Sequence, residues 1–313
     1  MDELTLNNYN AVITGCGIID LPDHALLWGA GRDRVDLLHR MSTNDLTDMA
    51  VNEGRATVLT TPLARIVDRI VVINLGSEPK VLLLGSAGTG TKIRRWLSGY
   101  IFFQDEVAFT DASTDLAQFR LFGPQVDAVA EALIPGASSL KLHHVLRQGG
   151  AIVGRADPLA GSSFFVVAEK SEFARWRANA IEAGAVETGP AVYDLLRIES
   201  GLPESGHEIG EEFIPLESGL WDDVSFTKGC YIGQEIIARM ESRGKLAKRL
   251  IGLKAASPLN PGAEFPGGLV TSVARSPRFG WIGLGFAKPA LEIGNEVEID
   301  GRRVTIAALP FQG

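Results

Sequence analysis

Cysteine is almost missing from this chain: Cys16 and Cys230 are the only two in 313 residues. Lying far apart, they offer neither a metal-ligand spacing nor a disulfide framework, which fits a reducing compartment such as the cytoplasm. Aromatic residues make up only 7%. No apolar run approaches the length of a bilayer span, so no membrane-spanning helix is expected. The polar, acidic segment 1–10 has neither the basic region and apolar run of a secretory signal nor the arginines of a transit peptide. Positive charge is also short. Lys and Arg total 30 against 38 Asp and Glu, for a formal net charge of −8. Such a balance argues against general binding to nucleic acid or anionic membranes. The five histidines are scattered. The adjacent pair His143-His144 would point apart on any regular element, so no metal site is expected.

What remains is a folded globular chain, 45% apolar and 22% charged, long enough for two or three domains. Leu26 to Gly29 reads as a strand ending at glycine, and Arg32 to Met41 carries Val35, Leu38 and Met41 at helical spacing. Strands follow at Ala56 to Thr61, Arg65 to Leu75 and Lys80 to Leu84, then a helix at Thr91 to Tyr100 and a strand at Val107 to Thr110. The pattern recurs. Phe119 to Gly123 is again a strand ending at glycine, and Gln125 to Leu133 is a helix. Strands at Ala151 to Gly154 and Phe164 to Val167 and a helix at Ser171 to Ala183 complete the parallel. The order indicates a duplicated α+β unit. Gly189 to Glu199 forms another helix. Beyond Arg249, short strands at Ile251 to Leu253, Gly268 to Ser272, Ile282 to Phe286 and Glu296 to Ile299 alternate with turn signals, the texture of a small antiparallel barrel.

The densest chemistry lies in Lys228-Gly229-Cys230-Tyr231-Ile232-Gly233-Gln234-Glu235, a loop entering a short helix. A nearby cation favours thiolate, the reactive form of cysteine, and the glycines permit tight bending. The plain alternative is a small buried thiol. Gly85 to Lys92 invites a phosphate-loop reading, but Thr91 displaces the lysine by one position and the pattern fails. Asp68 sits inside the apolar strand from Arg65 to Ile73. A carboxylate there is costly to bury unless partnered, so it either faces a cleft or pairs. Alternation puts Asp68 and Arg69 on opposite faces. Glu199 ends its helix, where the dipole disfavours a carboxylate; a ligand with N–H donors or a nearby arginine would offset that. Arg239, Arg243, Lys245, Lys248 and Arg249 make a local positive patch, suited to a polyanionic ligand tail, to an acidic partner, or simply to solvent.

Taken together, these residues resemble a known family. Lys228 to Glu235 resembles the signature of YgfZ-type folate-binding proteins, which maintain iron–sulfur clusters. The rest resembles the wider family of the glycine cleavage T-protein, a tetrahydrofolate-dependent aminomethyltransferase. The matching segments are Met41 to Asp45, Arg197 to Leu202, Ile214 to Gly219, and Val270 to Pro277 followed by Gly280.

The resemblance implies a three-lobed α+β fold around a central folate cavity, with a C-terminal antiparallel β-barrel. Residues 1–248 would form the folate-binding domain, one lobe from 1–112 with 185–248 and the other from 113–184, with Cys16 packed in the first. Residues 249–313 would form the barrel. Glu199 would hold the pterin ring of a tetrahydrofolate or other reduced one-carbon folate, with Asp68, Arg239 and Gln234 as further folate contacts. Cys230 would be the functional thiol at the cavity mouth, assisted by Lys228. T-proteins carry paired aspartates in the strand matching Arg65 to Ile73, and the second is catalytic; here Arg69 stands there. That departure, with Cys230, implies an accessory protein whose partners are iron–sulfur assembly machinery or client enzymes. The alternative is an aminomethyltransferase or related one-carbon transferase.

Overall fold

The computed structural model describes residues 2–76 and 80–312, and of Arg243 the backbone alone. The chain opens with α1 (Glu3–Thr14), β1 (Cys16–Asp20), β2 (His24–Ala30) and α2 (Arg34–Met41). Next come β3 (Gly54–Thr60), β4 (Ile66–Asn74), β5 (Lys80–Ala87), α3 (Gly90–Ser98) and β6 (Ala108–Asp111). The central part holds β7 (Leu116–Gly123), α4 (Val126–Leu133), β8 (Val145–Gln148), β9 (Ala151–Arg155), β10 (Ser162–Glu169), α5 (Lys170–Glu182), β11 (Ala185–Glu187) and α6 (Pro190–Glu199). After a long stretch without strands come α7 (Gln234–Arg243) and β12 (Arg249–Ala255), β13 (Glu264–Phe265), β14 (Gly268–Ser276), β15 (Gly280–Ala287), β16 (Glu296–Ile299) and β17 (Arg302–Ala307).

The strands make three sheets. The first runs β3-β4-β5-β2-β6 and the second β8-β9-β10-β7-β1-β11. Strand for strand the two orders match, from β2 through β6 and from β7 through β11, so the duplication read from the sequence is present in the topology. One strand breaks the symmetry. β1 is inserted between β7 and β11, pairing Gly17 with Phe122 and Cys16 with Ala185. The expected lobe containing 1–112 and 185–248 therefore differs from the pairing seen, because β1 and β11 hydrogen-bond into the sheet of residues 113–184. Cys16 follows them: it is buried among Phe119, Leu121 and Val126, not in the first unit.

Within the segment read as polar, residues 3–10 belong to α1. Asp2 caps it by accepting from the Thr5 N–H at 2.7 Å, and its buried side, Tyr9 and Val12, packs on Phe122 and Leu195. Two buried residues one turn apart gave too short a period to read.

α2 and α3 cover the first sheet through Leu37, Leu38, Ile93 and Leu97. α4 and α5 cover the second through Val126, Ala130, Trp176 and Ala180. The opposite faces of the two sheets meet over Leu26, Ile73, Leu82, Phe165 and Val167. The third sheet, β13-β14-β15-β12-β17-β16, is antiparallel throughout. Its end strands β13 and β16 approach each other, nearly closing a barrel. Phe286 of the barrel stacks on Phe213, with centroids 3.8 Å apart. Phe311 packs with Ile198 of α6. No helix among the described residues is long and apolar enough to cross a membrane.

Candidate functional site

Where the three sheets converge lies a cavity of about 760 Å³. The first sheet contributes Arg69, Val71 and Leu84, the second Arg120 and Phe165, the connection after β9 Asp157, and the barrel side Leu250, Leu309 and Pro310. Segments 200–205 and 218–223 close the remaining wall. A concave site mixing apolar walls with a few convergent polar groups is the usual form of a small-molecule pocket.

Arg69 is the electrostatic centre of that wall. Its guanidinium donates to Asp157 at 2.7 and 3.0 Å and to Asp223 at 2.6 and 3.3 Å. Burial alone would raise the Asp157 carboxyl, but Arg69 and His143 hold it well below the usual carboxylate range. Arg120 donates to the Asp157 carbonyl at 2.6 Å and to the Tyr193 hydroxyl at 3.1 Å. Beside them, His24 is kept neutral, its pKa pushed down to about 4 by burial and then by Arg120. His143 is 6% exposed, has a positive φ of 64°, and leaves its Nδ1 buried without a hydrogen-bond partner. Backbone strain and an unmet polar atom in one pocket residue are features found at ligand sites. Gly54 makes room for it: a Cβ there would stand 2.3 Å from the His143 carbonyl oxygen.

None of the six residues expected to act on or around a ligand lines this cavity. Asp68 is fully buried. It accepts from the hydroxyls of Ser86 and Thr89 at 2.6 and 2.7 Å and from the Ser86 N–H at 3.1 Å. Burial raises its pKa, and these bonds oppose the shift. Strand alternation decides the outcome: Asp68 turns behind the wall while Arg69 turns into the cavity. Glu199 is also off the wall. Its Oε1 accepts from Tyr9 at 2.9 Å and Ser276 at 2.5 Å. Burial raises its pKa against those two hydroxyls and Arg278. The helix-end carboxylate thus meets its need for donors within the protein, between α1 and the barrel.

Lys228 is buried as well. Its Nζ donates to the carbonyls of His39, Ser42 and Asn44 at 2.6, 2.8 and 2.7 Å. The ammonium also lies 4.9 Å from the Tyr231 ring centroid. Burial pushes its pKa down to about 7. Three carbonyl oxygens bind the charged form, so Lys228 pins its loop to the end of α2 instead of assisting the thiol. Cys230, two residues on, is exposed but is not on the cavity wall. Gln234 begins α7 after Gly233, whose φ of 82° fits glycine. Its Oε1 accepts from the Tyr231 N–H at 3.4 Å. Arg239 is exposed on α7. The 221–233 loop also shows Trp221 and Phe226, both exposed, with rings 6.2 Å apart.

Asp157 and Asp223 carried no signal in the sequence. Both lie outside regular elements, and they meet Arg69 across 88 and 154 residues. The only hint was the charged residue alternating with apolar ones in β4.

Comparison with known proteins agrees with the architecture. The family model of the GCVT N-terminal domain matches residues 1–152. The Arabidopsis thaliana protein described as "Putative transferase At1g60990, chloroplastic" is 30% identical over 93% of this chain and 69% of its own length. An aminomethyltransferase of Herpetosiphon aurantiacus is 28% identical over 97% of this chain and 88% of its own. The crystal structure of the glycine cleavage system aminomethyltransferase T from Bartonella henselae superposes with a TM-score of 0.88. It covers 98% of this chain and 89% of that one at 20% identity. In sequence and in fold, the chain belongs to the GCVT family.

Proposed function

We propose that the cavity between the three sheets binds a tetrahydrofolate and that the chain acts through that folate. The observation that carries this is the cavity itself, about 760 Å³ in volume. Its lining combines the polar groups of Arg69, Asp157 and His143 with the apolar surfaces of Val71, Leu84 and Phe165. A flat pterin with N–H and carbonyl edges suits such a wall, and the unpartnered His143 Nδ1 is consistent with a site built for a polar ligand. Bound folate would supply a carrier for a one-carbon group. The chain's own contribution would be to orient the ring, exclude water and hold Asp157 ionised.

One-carbon transfer of the aminomethyltransferase kind is the reading that the relatives support. A second reading, iron–sulfur cluster maintenance in the cytoplasm, draws on one specific observation. Arg69 takes the place that the family resemblance gives to the catalytic aspartate. It is bonded to both nearby acids of the wall, so neither carboxylate beside it is without a partner. The exposed Cys230 would then be the group offered to clients of the assembly machinery.

Calorimetric titration with tetrahydrofolate tests the shared claim; no binding would reject both readings. Incubation with aminomethylated lipoyl carrier protein and tetrahydrofolate separates them. Ammonia release with methylene-tetrahydrofolate formation selects the transferase. No turnover, with client activity in a deletion strain restored by the wild type but not by Cys230→Ala, selects the second.

A further inference from the structure

We infer that Arg69 is a positioning residue that couples the contents of the cavity to the loop carrying Cys230. The inference deepens the folate reading and takes its ligand from it. Arg69 is about one-fifth exposed, and its partner Asp223 is 7% exposed. Every N–H···O bond between them is made at the cavity wall. A ligand edge that bonds Arg69 or Asp157 competes for the donors and acceptors that hold Asp223.

Asp223 matters because the 221–233 loop has no helix or strand of its own. Its position rests on a few pins. At one end Arg69 holds the Asp223 carboxylate, and the Thr43 hydroxyl donates to the Asp223 carbonyl at 2.6 Å. Within the loop Lys228 binds the carbonyls of His39, Ser42 and Asn44, and at the far end the Ile232 N–H donates to the Arg40 carbonyl at 3.2 Å and the Thr60 hydroxyl to the Ile232 carbonyl at 2.9 Å. Asn44 itself lines the cavity, and its Nδ2 donates to the Asp222 carbonyl at 3.2 Å. Two routes therefore run from the cavity to the loop, one through Arg69 and Asp223, the other through Asn44 and Lys228. The second ends at Lys228, two residues from the Cys230 thiol, and the first at Asp223, at the start of the same loop. Coupling between two sites typically changes an affinity 5- to 150-fold.

The alkylation rate of native protein reports the loop. Cys16 is 2% exposed, with its pKa pushed up to about 12 by burial, so Cys230 is the thiol that reacts. The experiment measures iodoacetamide labelling of the full chain with and without saturating 5-formyltetrahydrofolate, alongside calorimetric binding. In the wild type the bound ligand is expected to change the rate by about fivefold or more. In Asp223→Asn, which keeps an acceptor but loses the charge, the rate should become independent of ligand at a concentration that calorimetry shows to saturate the variant. Without ligand, Arg69→Lys should label faster than the wild type, at unchanged circular dichroism. Binding with no change in the wild-type rate overturns the coupling, as does a wild-type response in Asp223→Asn. Absence of binding rejects the folate reading instead; the ligand-free Arg69→Lys rate then decides the coupling, and a wild-type rate there overturns it.

Discussion

Two carboxylates near the cavity both lose solvent on folding, yet they shift in opposite directions. Asp157 faces the guanidinium of Arg69 and is held low. Glu199 faces the hydroxyls of Tyr9 and Ser276 and is raised. Burial disfavours the charged form in both; an arginine bonded directly to the carboxylate overturns that cost, whereas two hydroxyls and the charge of Arg278 only reduce it. The wall therefore offers an ionised acid locked to an arginine, while the acid between α1 and the barrel serves as a structural joint.

The harshest way to break this contrast is Arg69→Ala. It leaves Asp157 and Asp223 without their cation, and a loss of about 3 kcal/mol is expected, read by urea denaturation. Lys228→Met comes next. It keeps the length of the side chain but removes the donor to three carbonyls, at an expected cost of about 1–3 kcal/mol by the same measurement. Smaller and more specific are the pH profiles. Asp157 has a lowered pKa, so its stabilisation is present above the ordinary value of about 3.9 and fades as pH falls towards its folded-state value. Asp157→Asn should flatten the urea midpoint in that acid range. Glu199 has a raised pKa, so stability falls as pH rises from about 4.3 through its folded-state value. Glu199→Gln should remove that decline, and an unaltered profile would refute the assignment. The smallest effect is expected of Cys230→Ser, within about 0.5 kcal/mol of wild type, since that thiol is exposed.

How much the sequence disclosed depended on whether a signal was local. β4 was readable from its run of Ile and Val, and alternation along it correctly separated Asp68 from Arg69. The strand–helix pairs at 24–41 and 116–133 were readable because each repeats an aromatic residue, a glycine and then a helical period. The barrel announced itself through its turns. What failed was non-local. Nothing around Glu199 indicated that Tyr9, 190 positions earlier, would supply the donor a ligand was expected to bring. Lys228 looked like an activator of its neighbour because the carbonyls it binds belong to residues 39–44. Asp157 and Asp223 gain meaning only through an arginine on a distant strand.

β1 has a consequence for how the chain is made. Every strand of the first sheet lies between residues 24 and 111, so that half can close soon after it leaves the ribosome. β1 emerges earlier still, yet its neighbours β7 and β11 are not complete until residues 123 and 187. Late partners of this kind close large loops and fold slowly, so Cys16, Ile18 and Ile19 must wait in the nascent chain without a sheet to join. Truncations released between residues 112 and 118, before β7 can pair with β1, should therefore yield a protected first half carrying a protease-sensitive amino-terminal arm.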